Sequence, residues 1–146
     1  MALTLKLQVI TPEALVFSDD VSMVVLPGTA GEMGVLPGHE PLMTTIEAGD
    51  LVITKGGEEM DLAVGAGFAQ ITGDHVCVLT DMAIEADKID EAAAEAARKR
   101  AEQSLSEKLT AEQQAAVEAS LRKATAQLAV KRRHRERHHH GGSKHQ

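Results

Sequence analysis

Residues 76–100 read VCVLTDMAIEADKIDEAAAEAARKR, and the architecture turns on the change of character inside this stretch. As far as Thr80 it is a short apolar run bounded by turn residues. From Asp87 onward Asp90 precedes EAAAEAARKRAEQSL, a series of strong helix formers with acids early and bases late, the order the helix dipole favours. This predicts a helix over residues 88–105. Further on, Thr110-Ala111-Glu112-Gln113 has the pattern of a capping box, in which the Thr hydroxyl and the Gln side chain satisfy orphan amides. It opens a second helical stretch to Arg133, and two helices with a short break predict an antiparallel hairpin.

Working back toward the amino terminus, the period is two. Leu3, Leu5, Leu7 and Val9 alternate with Thr4, Lys6 and Gln8, as in a half-buried strand. Apolar runs follow at 21–26, 42–46, 51–54, 60–64, 68–72 and 76–80, separated by Pro12, Pro27-Gly28, Pro37-Gly38, Gly49-Asp50, Gly56-Gly57 and Gly73-Asp74. Many short strands with regular turns imply a sandwich or barrel. Gly56-Gly57 and Gly73-Asp74 are expected at hairpin tips, where glycine supplies a positive φ cheaply. The expected fold class is therefore α+β: an antiparallel β-sandwich over residues 1–86, a helical hairpin over 87–133 and a disordered, basic, His-rich tail over 134–146.

Length and composition agree with two small units. The chain has 146 residues, with 43% hydrophobic and 25% charged, which excludes a large multidomain enzyme and wholesale disorder. No run approaches the roughly twenty apolar residues that span a bilayer, and MALTLKLQVITPE lacks the basic start and unbroken apolar core of an export signal. A soluble, cytoplasmic protein without direct membrane insertion is expected. Cys77 is the single cysteine, so no intrachain disulfide can form. Phe17 and Phe68 are the only aromatics, which argues against base-stacking and sugar-stacking sites. Through Asp87 the basic residues are Lys6 and Lys55 against fourteen acids, a net −12, whereas the remainder carries +5. An acidic unit followed by a basic one suggests different partners for each.

Catalytic constellations are not evident. His39 lies in a Pro-Gly loop and His75 in a hairpin; neither has a metal-ligand partner beyond Cys77, two residues from His75 on the same strand face. The glycines of PGTAGEMGVLPG match no phosphate-cradling motif and are expected in turns. His138, His139 and His140 fit a solvated tail better than a metal site, and no metal is expected. The run KRRHRERHHH, on a chain otherwise strongly acidic, favours an acidic protein surface over nucleic acid.

The loop residues carry a more specific signal. Gly31-Glu32-Met33-Gly34-Val35-Leu36-Pro37-Gly38-His39-Glu40-Pro41-Leu42, preceded by Thr11-Pro12-Glu13 and Val16-Phe17-Ser18, resembles the epsilon-subunit family of bacterial F-type ATP synthases, called delta in mitochondria. Gly65-Ala66-Gly67-Phe68 and Val78-Leu79-Thr80-Asp81-Met82-Ala83 match as well, and the resemblance runs from about Leu5 to Val130 with sandwich and hairpin in the same order.

The resemblance implies a non-catalytic central-stalk subunit of the rotor. Such a subunit couples ion transport, of protons or sodium, to ATP synthesis at the cytoplasmic face of the bacterial membrane. Its sandwich would touch the gamma subunit and the c-ring loops, with Glu32, Gly34, Pro37, Gly38 and His39 in the contact loop. Its hairpin would fold against the sandwich or extend along gamma toward the catalytic alpha and beta subunits and block ATP hydrolysis. Arg122, Lys123, Lys131, Arg132, Arg133, Arg135 and Arg137 would then face an acidic beta-subunit loop. Some members bind ATP through an [IL]-D-x-x-R-A motif. Here it reads Ile89-Asp90-Glu91-Ala92-Ala93-Ala94, and Lys123 and Gln127 stand where such members tend to carry arginines. With Ala93 in place of the motif arginine, a bidentate phosphate contact is lost, and no cofactor is expected. The same features without the resemblance would fit a β-sandwich adaptor that dimerises or binds an acidic partner through its hairpin.

Overall fold

A computed structural model describes residues 3–143. Ten strands come first: β1 (Leu5–Ile10), β2 (Leu15–Val21), β3 (Met23–Gly28), β4 (Gly31–Val35), β5 (Leu42–Ile46), β6 (Gly49–Lys55), β7 (Glu58–Val64), β8 (Gly67–Thr72), β9 (His75–Thr80) and β10 (Ala83–Glu85). A 3-10 turn (Ala86–Lys88) leads to helices α1 (Glu91–Leu105) and α2 (Ala111–Ser143). The strand order is β10-β7-β6-β3-β5-β8-β9-β1-β2, with β4 on the side of β3. A single bridge, Gly28 to Ile46, joins β3 to β5 and forms the corner between the two layers. Pairing is antiparallel except for β1 and β9, which run parallel from Lys6↔His75 to Ile10↔Leu79.

The core follows from the alternation. Leu5, Leu7 and Val9 of β1 point inward with Val24, Leu26, Leu51, Ile53, Leu62, Val64, Ile71, Val76 and Val78, all 2% exposed or less. Leu3 precedes β1 and is exposed, so the inward series begins at Leu5. Three strands were not expected. β2 is interrupted by the consecutive acids Asp19 and Asp20, of which Asp20 is exposed, and β10 has three residues. β4 occupies a stretch expected to be turns, because pairing with β3 from Val24↔Val35 to Gly28↔Gly31 supplies hydrogen bonds that local propensity does not signal. Gly56 and Gly57 have positive φ at the β6–β7 tip as expected (59° and 82°), whereas Gly73 forms the β8–β9 tip without one.

Both helix starts are capped. Asp90 accepts from the Ala93 N–H at 3.1 Å, so α1 begins at Glu91, three residues after the expected start. Thr110 and Gln113 make the reciprocal pair, Gln113 N–H to Thr110 Oγ1 at 3.1 Å and Thr110 N–H to Gln113 Oε1 at 3.0 Å. α2 does not stop at Arg133. It continues to Ser143, so the segment expected as a disordered tail is helical through that residue. The cause is tertiary: Arg133, Arg135 and Arg137 are tied by ion pairs to other elements, and no helix breaker occurs before Gly141. The side chains of His138, His139 and His140, and residues 144–146 altogether, lie outside the described residues.

Candidate functional site

Strand β7 is buried on both faces, and the reason is α2. Leu62 and Val64 point into the core, while Asp61 and Ala63 point outward beneath the helix. Ala63 joins Ala86, Ile89 and Val130 in a second, small apolar cluster, with Met82 and Ile84 at its margin. Burying Val130 contributes about 1.5–3 kcal/mol, and α2 also makes several polar contacts with the sandwich. Gln127 Nε2 donates to Met82 Sδ at 3.1 Å, Lys131 Nζ to the Ala86 carbonyl at 3.2 Å, and Lys123 pairs with Asp81 at 3.0 Å.

The carboxy-terminal part of α2 is held by charge. Arg133 pairs with Asp50, Arg135 with Glu91 at 2.8 Å, and Arg137 with Asp61 at 2.6 Å and Glu59 at 3.5 Å. Of the seven expected regulatory residues, five therefore turn onto the chain itself, and Arg122 and Arg132 are exposed. The Asp61 side chain is wholly buried and that of Asp50 nearly so. Burial, and then the charge of Asp61, push the Asp50 carboxyl from 3.8 up to about 7, against the pull of Arg133 and Arg137. Beside the pair, Glu59, Asp61, Glu85, Asp87, His134 and Arg137 line a cavity of about 380 Å³. The sequence signals only Asp61, as a carboxylate interrupting the apolar run 60–64, whereas Asp50 follows Gly49 in a pair expected as a turn that here opens β6.

The expected ATP positions all have structural occupations. Ile89 is buried against Val130, Asp90 caps α1, Ala93 donates the capped amide, Ala94 is buried against the hairpin, and Lys123 and Gln127 hold α2 to Asp81 and Met82. In the expected contact loop, Glu32 and Gly34 are exposed residues of β4, whereas Pro37, Gly38 and His39 follow it. Gly38 has φ 87° and its N–H donates to the Gly73 carbonyl at 2.6 Å, so this turn rests on the β8–β9 tip. Glu32 and Val35 are three strand residues, about 10 Å, apart, so Glu32 stands at one end of β4 and the turn at Pro37 to His39 follows the other. His75 Nε2 lies 3.0 Å from Gln8 Oε1, and no group of three or more metal-ligating side chains occurs among the described residues.

A further surface emerges from strand register. Thr45, Phe68, Leu79, Ile10 and Leu15 form one row across β5, β8, β9, β1 and β2 on the outer face of the layer opposite α2. Phe68, Leu79 and Leu15 are each at least half exposed, and Met43, in the next row, is 65% exposed. A residue pattern could have pointed to it, since Ala69 and Ile71 face inward and leave Phe68 as an aromatic on the outward side. No helix is long and apolar enough to cross a membrane among the described residues.

Two family models match the chain: the beta-sandwich domain of the ATP synthase delta/epsilon chain over residues 4–86, and its long alpha-helix domain over residues 87–132. The ATP synthase epsilon chain of Dehalococcoides mccartyi is 47% identical over 132 residues, covering 90% of this chain and 94% of the relative. Among solved structures, a chain of the Euglena gracilis mitochondrial ATP synthase (OSCP/F1/c-ring) aligns with TM-score 0.73 at 22% identity, covering 87% of this chain and 81% of that one. A chain of the Tetrahymena thermophila mitochondrial ATP synthase central stalk/c-ring aligns with TM-score 0.56 at 11% identity, covering 87% and 96%.

Proposed function

This chain belongs to the ATP synthase delta/epsilon chain family, and from that membership we propose that it is a non-catalytic rotor subunit whose sandwich binds gamma and the c-ring. The observation that carries the reading is the exposed apolar row Phe68–Leu79–Ile10–Leu15. One outer face of the sandwich is covered by its own helix, and the other presents ordered apolar surface of the kind a subunit interface buries. Gamma occupies that face, and the c-ring loops meet Glu32, Gly34, Pro37, Gly38 and His39. The subunit works at the cytoplasmic face of the membrane, within the complex that couples ion flow to ATP synthesis.

The helical hairpin is the regulatory part. Folded, it lies on β6 and β7; extended, it reaches the alpha and beta subunits and obstructs hydrolysis. A helix of 33 residues is about 50 Å long, enough for that reach. Its basic face pairs there with an acidic beta-subunit loop, Arg122 and Arg132 being exposed without any rearrangement. The test is reconstitution with gamma and the catalytic subunits. Charge replacement at Phe68 and Leu79 should abolish capture by gamma while leaving the circular dichroism unchanged. Capture that survives both replacements would overturn the assigned face.

A further inference from the structure

Asp50 on β6 and Asp61 on β7 are diagonal neighbours on one face, since Asp50 pairs with Ala63 and Val52 with Asp61. Helix α2 covers them, leaving the Asp61 side chain no solvent exposure and that of Asp50 12%. One oxygen of each carboxylate is served by an arginine: Asp50 Oδ2 accepts from Arg133, and Asp61 Oδ2 accepts from Arg137 at 2.6 Å. The other oxygen of each, Asp50 Oδ1 and Asp61 Oδ1, is buried without a hydrogen-bond donor. A buried acceptor left unserved is costly, and here two lie on side chains that are diagonal neighbours on one face. Two carboxylates can bond only if a proton lies between them, and one proton would serve both orphan oxygens.

We propose that Asp50 and Asp61 hold a single proton between them while α2 is docked, and that loss of this proton loosens the helical hairpin from the sandwich. The surroundings favour retention. Glu59 from β7, Glu85 from β10 and Asp87 from the 3-10 turn add negative charge around the cavity, while Arg133, Arg137 and His134 come from α2. Lys88 is paired with Glu85, and Lys131 with the Ala86 carbonyl. The raised Asp50 carboxyl, at about 7 against an ordinary 3.8, agrees with this arrangement.

The direction follows from linkage. The docked state keeps its proton up to about pH 7, and lifting α2 returns the carboxylates to water, where they release it toward the ordinary value of 3.8. Docking is therefore strongest in acid and weakens as pH rises through that window, by up to about tenfold in the docked-to-undocked ratio per pH unit. Above it no further change is expected from this pair. The device operates in the chain alone and does not depend on the assembly into which the chain fits.

The experiment uses the full-length chain. Carbon-13 carboxyl NMR should find one aspartate step near pH 7 that disappears in D50N; if every aspartate titrates in the ordinary carboxylate range, the shared proton does not exist. Spin labels at E58C and E112C in a C77S background report docking between about pH 5 and pH 8. The docked fraction should fall with rising pH in the parent and in H134Q. In D50N, whose amide mimics the protonated acid, it should stay docked and flat. A pH response that persists in D50N, or that vanishes in H134Q, assigns the switch to another group and overturns the proposal, as does a docked fraction that is unresponsive in the parent.

Discussion

At Gly67 a single hydrogen atom decides the local geometry. A Cβ built there would lie 1.9 Å from the Leu79 carbonyl oxygen, and one on Gly65 would lie 2.0 Å from Asp81 Oδ1. Both glycines flank Ala66, at the point where β7 crosses to β8 and the chain leaves one layer for the other. Because the obstruction at Gly67 is backbone, Gly67→Ala is expected to cost more than about 3 kcal/mol or to prevent folding, as measured by urea unfolding. Gly65→Ala meets a side chain that can swing away, and should cost less. Weak nucleotide affinity is expected at the same scale. Ala93 and Gln127 supply no cationic phosphate contact, each such bond being worth about 1.5–3 kcal/mol, and Lys123 is already paired with Asp81. Calorimetry on the full chain should find ATP binding weaker than low millimolar. Micromolar binding would mean that other cations, such as Arg122, provide the site.

Among the elements, the two helices meet through small side chains. Ala94 and Ala101 are the buried residues of α1, and its exposed side is laced by Arg98 to Glu95 and Glu102. Between the helices a groove of about 390 Å³ is lined by Ala97, Arg100, Ala101, Ser104, Ala116, Val117 and Ser120. Alanine permits this approach but leaves the space unfilled. Ala97→Leu should fill part of it and raise hairpin stability by about 1 kcal/mol, seen as a higher thermal midpoint in calorimetry. A lower midpoint would show that the groove cannot accept the volume. Beyond Val130, helix α2 is held by a few ion pairs with the sandwich and α1. Exposed pairs contribute only ~0–1 kcal/mol each, whereas removing Arg137 strands a buried Asp61. Arg137→Ala should therefore speed amide exchange over the end of α2 more than Arg135→Ala does, and added salt should narrow the difference.

For the molecule as a whole, the division of labour lies between a self-sufficient core and an attached helix. The main cluster draws on residues from Leu5 to Val78, and none of it comes from the hairpin. Truncation after Ala86 is expected to leave a folded sandwich that still captures gamma, and an unfolded spectrum would contradict that independence. In a reconstituted complex, the same truncation should raise ATP hydrolysis. Substituting all seven basic residues together would mix two effects, since Arg133 and Arg137 hold the docked pose while Arg122 and Arg132 do not. The pair R122A/R132A isolates the charge contribution. If it leaves hydrolysis unchanged while truncation activates, the hairpin obstructs by its bulk; if neither alters the rate, the hairpin does not inhibit.

The order of strands then helices was legible in the residues, because alternation at Leu5, Leu7 and Val9, glycine at the 56–57 tip, and the caps at Asp90 and Thr110 are local devices. The family was legible too, through the loop from Gly31 to Leu42 and the length over which the match extends. What no window of sequence contains is which surfaces meet. Strand β4 exists because β3 pairs with it, α2 persists past Arg133 because acids on β6, β7 and α1 receive its arginines, and Phe68 joins Leu79, Ile10 and Leu15 through register across strands distant in the chain. The aspartate pair shows why. In water the Asp50 carboxyl would keep its ordinary proton affinity, and it acquires a higher one when folding removes the water and brings a second carboxylate beside it.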